Sequence, residues 1–284
     1  MILVTGATGT AGREIVKALS ARRAGVRVLV RDEAMARAVL GPGVETAVGD
    51  LRSPATVAAA LDGIERAVLL APNTPDQVQM ETGFVEAAKR AGVGHVVEFS
   101  GLGADLDSAA RIARAHAMVE RALEDSGIPF THLRPNTFMQ NILGAAPAIA
   151  SHGSLPQPMG DLRVSLVDVR DIAAVAATVL TEPGHTGRTY TITGPAALSF
   201  TDVARALSRA IGRDVAYVDI APPDFKRVLM SAGTDAWLAD ALLELLPHVS
   251  ARIGSLVTDV IAEVTGKPAT SFEQFARDYA GVFS

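Results

Sequence analysis

Three glycines, Gly6, Gly9 and Gly12, with Thr8 and Thr10 among them, separate the apolar run Ile2-Leu3-Val4 from the helix-like run Arg13 to Leu19. A strand that feeds a helix through a glycine-punctuated turn presents backbone N–H groups and the positive end of the helix dipole to an anion. The stretch is therefore read as the phosphate cradle of a dinucleotide site. Its alternative is a plain turn between two core elements, against which the strand before it and the helix after it both weigh. The spacing is Gly-x-x-Gly-x-x-Gly, not the Gly-x-Gly-x-x-Gly of ordinary dinucleotide dehydrogenases.

The second strand-like run, Val26–Val30, ends in Arg31-Asp32. A carboxylate at such a tip binds ribose hydroxyls and repels a 2′-phosphate, whereas a guanidinium holds a phosphate in bidentate fashion. Arg31 at the tip thus favours NADP(H) over NAD(H), the alternative being an exposed strand-end charge. Asp32 either points away or pairs with Arg31. The third run closes with Gly49-Asp50-Leu51, where Asp50 accepts a hydrogen bond from the adenine amino group with Leu51 against the ring, or else caps the turn before Ser53-Pro54. Ala71-Pro72-Asn73 follows the fourth run as a small-residue turn where the cofactor's central riboses would pass, unless it is an ordinary turn.

These residues need elements to position them. Strand-like runs recur at Ile2–Val4, Val26–Val30, Val44–Val48, Ala67–Leu70, His95–Phe99 and Phe130–Leu133, separated by alanine-rich segments of helical period such as Thr82–Ala91 and Ala109–Ser126. Short apolar strands alternating with helices predict an α/β fold: a doubly wound parallel sheet of the Rossmann type, with ligands at the carboxyl ends of its strands. After Leu133 the alternation fails. Residues 144–163 carry Pro147, Pro156 and Pro158 with three glycines, a strand is expected at Val164–Val167, and a helix from Asp171 to Leu180. Then follow a strand at Thr189–Thr193, a helix at Phe200–Ile211 capped by Ser199 or Thr201, a strand at Val215–Asp219, and a mostly helical tail from Pro222. The expected organisation is a dinucleotide-binding domain over 1–143 with a return segment near 164–182. A smaller, mainly helical substrate-binding lid domain is built from 144–163 and 183–284.

Composition narrows the partners. The chain has 284 residues, is 49% hydrophobic, and balances 26 Lys and Arg against 31 Asp and Glu for a net charge of −5. The basic residues are scattered, so no nucleic-acid stripe is expected. The absence of cysteine excludes disulfides, thiol nucleophiles and cysteine metal sites. No apolar run approaches membrane-spanning length, and the first strand leaves no room for a leader, so a cytoplasmic protein without membrane partner is expected. No carboxylate and histidine cluster has metal spacing in the sequence, so no metal is expected.

With these residues assembled, the chain resembles the NmrA-like group of atypical short-chain dehydrogenases/reductases, especially its NADPH quinone oxidoreductases. The resemblance rests on Gly6, Gly9, Gly12 and Arg31, on Ala91-Gly92-Val93-Gly94-His95-Val96-Val97 before Ser100, and on His116-x-x-x-Glu120. It continues through Asp125-Ser126-Gly127-Ile128, Leu133-Arg134-Pro135-Asn136, Asp168-x-Arg170-Asp171-Ile172-Ala173 and Gly187-Arg188-Thr189-Tyr190. Carbonyl reductases of the superfamily use a Tyr-x-x-x-Lys pair on the helix after the fifth strand and a Ser at that strand's end. Counted back from Glu120, the lysine position holds His116 and the tyrosine position Ile112; Ser100 remains, and Tyr190, Tyr217 and Tyr279 lie in other segments.

Reducing a ketone makes an alkoxide about as basic as hydroxide, near 15.7, which demands a proton donor. Reducing a quinone makes a phenolate with a pKa of about 10, which is able to leave the hydride step as an anion. A site without the tyrosine therefore favours quinones. Ser100 and His116 stand as the candidate catalytic residues. His116 either bonds the nicotinamide ribose, donates a proton near neutral pH, or has no chemical role. His132, His152 and His185 are read as structural. The resemblance implies that Pro135 and Asn136 line the nicotinamide pocket, and that Asn136, Phe138, Met139 and Asn141 face an aromatic substrate; Phe138 and Met139 are otherwise core residues. Asp168 and Asp171 are read as capping and ion-pair residues that hold the two domains together.

The expected function is hydride transfer from NADP(H) to a quinone or an aromatic polyketide-like carbonyl, including pathway reductases that prepare substrates for an oxygenase partner, in a monomer or homodimer. The alternatives are a non-catalytic NAD(P)-binding sensor of the NmrA type, and an isomerase or epimerase with bound cofactor.

Overall fold

A computed structural model describes residues 1–250 and 253–284, with backbone alone at 248–250. The strands are β1 (Ile2–Val4), β2 (Val26–Val30), β3 (Glu45–Val48), β4 (Arg66–Leu69), β5 (His95–Phe99), β6 (Phe130–Pro135), β7 (Ser154–Gln157), β8 (Arg163–Val164), β9 (Arg188–Ile192), β10 (Leu198–Ser199) and β11 (Ala216–Asp219). The helices are α1 (Thr10–Ala21), α2 (Glu33–Leu40), α3 (Pro54–Ala60), α4 (Gln77–Ala91), α5 (Arg111–Ser126), α6 (Ala146–His152) and α7 (Val169–Thr181). They continue as α8 (Phe200–Ile211), α9 (Pro222–Ser231), α10 (Ala236–Ser250), α11 (Val260–Thr265), α12 (Phe272–Asp278) and α13 (Ala280–Phe283).

Seven strands form the main sheet in the order β3-β2-β1-β4-β5-β6-β9. β1 runs parallel to both β2 and β4, β2 to β3, β4 to β5 and β5 to β6. This is the expected doubly wound sheet. Its central strands are mostly apolar, with Glu98 in β5 a buried exception, as a parallel sheet covered on both faces requires. β3 is half-exposed along its length because it forms the sheet's edge. Local signals set the helix limits: Pro54 opens α3, and left-handed Gly92 closes α4.

The chain divides into two units. The first comprises Met1–Ser108, Ala113–Arg134 and Ile172–Thr191; the second comprises Ala109–Ile112, Pro135–Asp171 and Ile192–Ser284. The first boundary therefore falls at Arg134/Pro135 rather than at 143, and the return segment is 172–191 rather than 164–182. The reason lies in 137–139 and 165–167. Met139 N donates to Val167 O at 2.8 Å and Val167 N to Thr137 O at 3.0 Å, so these two segments belong together. That pairing also shortens the expected strand at Val164–Val167 to β8, which pairs antiparallel with β10.

The second unit has its own core, in which Met139, Ile149, Phe200, Leu207, Phe272 and Phe275 are buried together. It is mainly helical, with β7 and β11 paired in parallel. Ser199 rather than Thr201 caps α8, in a capping box with Asp202. Among the described residues no helix is long and apolar enough to cross a membrane.

Candidate active site

The glycine turn lies where the strand order turns back, at the carboxyl ends of β1 and β4. The Thr5 hydroxyl donates to Leu70 O at 2.8 Å and accepts from the Leu70 amide at 2.8 Å, tying the two strand tips. Gly6 has φ 61°, and a Cβ there would meet Leu70 O at 2.7 Å; a Cβ on Gly12 would meet Gly6 O at 2.1 Å. Glycine is required at Gly6 by backbone conformation and at Gly12 by close approach. Gly9 is the N-cap of α1, no side chain caps that helix, and no acid stands in its first turn. Its leading amides and positive dipole end are thus left for an anion, with Gly9 and Thr10 exposed and Thr8 half-buried beside them. The cradle fits the phosphates of a dinucleotide.

Arg31 is exposed at the end of β2, and no ion pair among the described residues involves it. The Asp32 carboxylate accepts from the Met35 amide at 3.0 Å and caps α2, so it does not pair with Arg31. Asp50 accepts from the Arg52 amide at 2.8 Å through Oδ1. Arg52 in turn holds Asp76 through bonds of 2.6 and 3.1 Å, and these bonds keep the Asp76 carboxyl down at about 2. One oxygen of Asp50 is therefore committed to its own turn. Leu51 packs half-buried against the first unit's core; Ala71 and Asn73 are half-buried and Pro72 exposed.

A buried polar network occupies the sheet near the end of β5, and two periodicities build it. Glu98 and Ser100 share one face of β5, His132 and Arg134 one face of β6, with Glu98 and His132 direct cross-strand partners. His116 and Glu120 are one turn apart on α5, and Gln77 and Glu81 one turn apart on α4. Glu98 and Glu81 are fully buried. His132 Nδ1 lies 3.0 Å from Glu98 Oε2, and His116 Nδ1 lies 3.9 Å from Glu98 Oε1. Ser100 Oγ donates to Glu120 Oε1 at 2.6 Å, and Arg134 grips both oxygens of Glu120. Gln77 Nε2 donates to Glu81 Oε2 at 2.9 Å.

The electrostatics follow from burial and charge. Burial pushes the Glu81 carboxyl up to about 8, aided by the Glu98 charge. Burial also opposes charge on His116, but the Glu98, Glu81 and Glu120 carboxylates outweigh it and hold the imidazole above its ordinary value. Burial disfavours the charged Glu120 too, yet the bonds from Arg134 and Ser100 keep its carboxyl below the usual range. Glu98, Glu120 and His132 approach closely enough to share a cation, a grouping that sequence spacing conceals because each comes from a different element. Arg134 already pairs with Glu120 and His132 hydrogen-bonds Glu98, so both carboxylates have partners within the chain.

Glu81, Glu98 and Gln77 are absent from the residues singled out in the sequence. The signal was present: Glu98 interrupts the apolar run His95-Val96-Val97-Glu98-Phe99, and a carboxylate in a doubly covered strand must find partners.

In the second unit, Pro135 and Asn136 are buried. Asn136 Nδ2 donates to Ser165 Oγ at 2.7 Å and to Gly254 O at 2.9 Å, while Oδ1 accepts from the Thr137 amide at 2.7 Å. Its amide fastens three segments of the unit, a structural task that its reading as a pocket residue did not include. Met139 is buried with Ile142 and Phe272, in keeping with the core alternative that its sequence reading left open. The apolar side chain follows the pairing with Val167 inward. Phe138 is half-buried and Asn141 exposed. Asp168 accepts from Arg170 and Gln140, and Asp171 from Thr270; each partner belongs to the same unit, so the expected bracing of one domain against the other is not what these bonds do. Tyr190, Tyr217 and Tyr279 are engaged with His185, Asp219 and Phe275 respectively. Ile112 is buried.

Known proteins resemble this chain over its whole length. An NAD(P)H azoreductase of Xenophilus azovorans is 44% identical over 283 residues, covering 100% of this chain and 99% of the relative. The NADPH-dependent quinone oxidoreductase of Escherichia coli, solved in complex with NADPH, superposes with a TM-score of 0.87 at 30% identity, over 98% of this chain and 99% of that one. The triphenylmethane reductase of Citrobacter sp., complexed with NADP(H), gives a TM-score of 0.87 at 25% identity, over 99% and 100%. The NmrA-like family profile matches residues 1–273. A match that runs from the first strand of the sheet into α12, with the glycine turn at its head, makes this chain a member of the NmrA-like family.

Proposed function

We propose that the protein is an NADPH-dependent reductase whose acceptor is a quinone or another conjugated aromatic compound, such as an azo dye or a fused-ring carbonyl. The glycine cradle and the unpaired tip residue Arg31 support NADP(H), as does the company of the azoreductase and the quinone oxidoreductase. When bound, the reduced nicotinamide supplies the hydride. The chain's own part is to hold the phosphates at α1, to accommodate a 2′-phosphate at Arg31, and to offer the end of β5 as the polar wall of the reaction site.

What supports the acceptor class is α5, where Ile112 and His116, both buried, fall at the positions that the resemblance assigns to the carbonyl reductases' tyrosine and lysine. With no phenol available there, acceptors whose reduced anions resemble a phenolate are favoured over simple ketones. The test is NADPH oxidation with a panel of simple and fused-ring quinones, azo dyes and aliphatic ketones. Turnover of the conjugated acceptors and none of the ketones is expected. Tight NADP(H) binding with no turnover of any acceptor would replace this reading with that of a dinucleotide sensor.

A further inference from the structure

The anion left by the hydride step takes up a proton afterwards, and the network at the end of β5 has a group placed to give one. His116 Nδ1 is sealed from solvent and directed at Glu98 Oε1, 3.9 Å away. The opposite edge of the ring faces the loop that leaves β5: a Cβ on Gly101 would lie 3.2 Å from His116 Cδ2 and 3.5 Å from Nε2. One nitrogen is thus turned to a buried acid and the other to the carboxyl end of the sheet, where ligands bind in this architecture.

The surrounding groups decide the charge. Glu98 faces the ring from β5, Glu81 from α4 and Glu120 from its own helix. β6 contributes Arg134, which is spent on Glu120, and His132, which bonds Glu98 Oε2 and leaves Oε1 to His116. Burial raises the Glu81 carboxyl, and of the three acids Glu98 bears most strongly on His116. Glu98 is thus the acid set directly opposite the ring, and a buried acid of this kind needs partners.

The geometry points to His116 as the residue that protonates the reduced acceptor through Nε2, with Glu98 as the positioning residue that faces its Nδ1. This inference rests on the reductase reading above. Once the acceptor has been reduced by hydride, negative charge lies on one of its oxygens or nitrogens. The His116 Nε2–H bond breaks, a bond from that hydrogen to the acceptor atom forms, and the electron pair stays on Nε2 as neutral imidazole. Solvent restores the proton between turnovers, and no electrons move in this step.

Nitrogen-15 NMR of histidine in the cofactor-free protein, with His116 assigned through His116→Gln, reads the charge directly. Its titration midpoint is expected above that of free imidazole, lower in Glu98→Gln, and only slightly changed in Glu81→Gln. Steady-state kinetics read the donor role. His116→Gln should lower kcat by about ten- to a hundredfold with little change in KM and should remove the alkaline limb of the pH profile. The loss should be larger for acceptors with more basic reduced forms. A His116 that titrates at or below free imidazole in the native protein overturns the proposal whatever the activity, and needs no folded Glu98 variant. A raised midpoint with a pH profile unmoved by His116→Gln overturns the donor role. Turnover of no acceptor at all, with a raised midpoint, overturns the reductase reading and the donor role with it; the NMR result tells these failures apart.

Discussion

On the proposed reading, Arg31 and Gly12 would serve one ligand in very different ways. Gly12 contributes no atom beyond its backbone, and its role is to let α1 begin against Gly6 O. Arg31 contributes only its head group, exposed at the tip of β2 and paired with nothing described. Asp32, the residue that would repel a 2′-phosphate, is turned away to cap α2. Arg31→Ala should therefore weaken NADPH binding by about ten- to a hundredfold, the worth of a charge-assisted phosphate contact, and leave NADH binding nearly unchanged. Titration of both cofactors by fluorescence checks this, and equal losses would remove Arg31 from the site. These residues were legible in the sequence because motif and strand tip adjoin in the chain. His116 was legible as a position, but its charge state was not, since it depends on acids 18 and 35 residues away.

Among the elements, strand register does the assembling. Glu98 opposite His132, and Ser100 two residues on, place the polar face of β5 against α5, where His116 and Glu120 recur at one-turn spacing. Strand and helix periods were readable, so the doubly wound parallel sheet and the approximate spans of several helices follow from the sequence. Which strand segments pair outside that rhythm was not. The segment 135–141 reads as a loop beside a pocket, yet its pairing with 165–167 draws Met139 into a core and gives Asn136 three hydrogen bonds. Asn136→Ala would strip partners from Ser165 and the Gly254 carbonyl, and the expected cost is about 1–3 kcal/mol. Chemical denaturation reads that loss directly. A variant as stable as the parent would show that these bonds are replaced by water without penalty.

For the whole molecule, the buried acids predict how stability varies with pH. Glu81 has its pKa raised from 4.5 to about 8 in the folded chain, so its contribution is complete below 4.5 and declines as pH rises towards 8. His116, also raised, acts in the same direction, its contribution lost as pH rises through its folded value. His95 opposes them: burial holds it down to about 4, so its contribution is present above 6.5 and lost as pH falls towards 4. The melting temperature should thus fall as pH rises from about 4.5 towards 8, against the opposite contribution of His95 at its acid end. Glu81→Gln should flatten that fall by up to a few kcal/mol, at about 1.4 kcal/mol per pKa unit. Melting curves across the pH range check it, and an unaltered slope in the variant would place the dependence elsewhere.

The bond between Thr5 and Leu70 has its own consequence for this architecture. A single hydroxyl gives its hydrogen to one atom of Leu70 and takes one from another, so two strands of opposite destiny are buttoned at the same point. One runs on into the glycine cradle and the other into the turn Ala71-Pro72-Asn73. The crevice between them cannot spread without undoing both fastenings at once. Its width is fixed from below, by an oxygen that no bound molecule needs to touch.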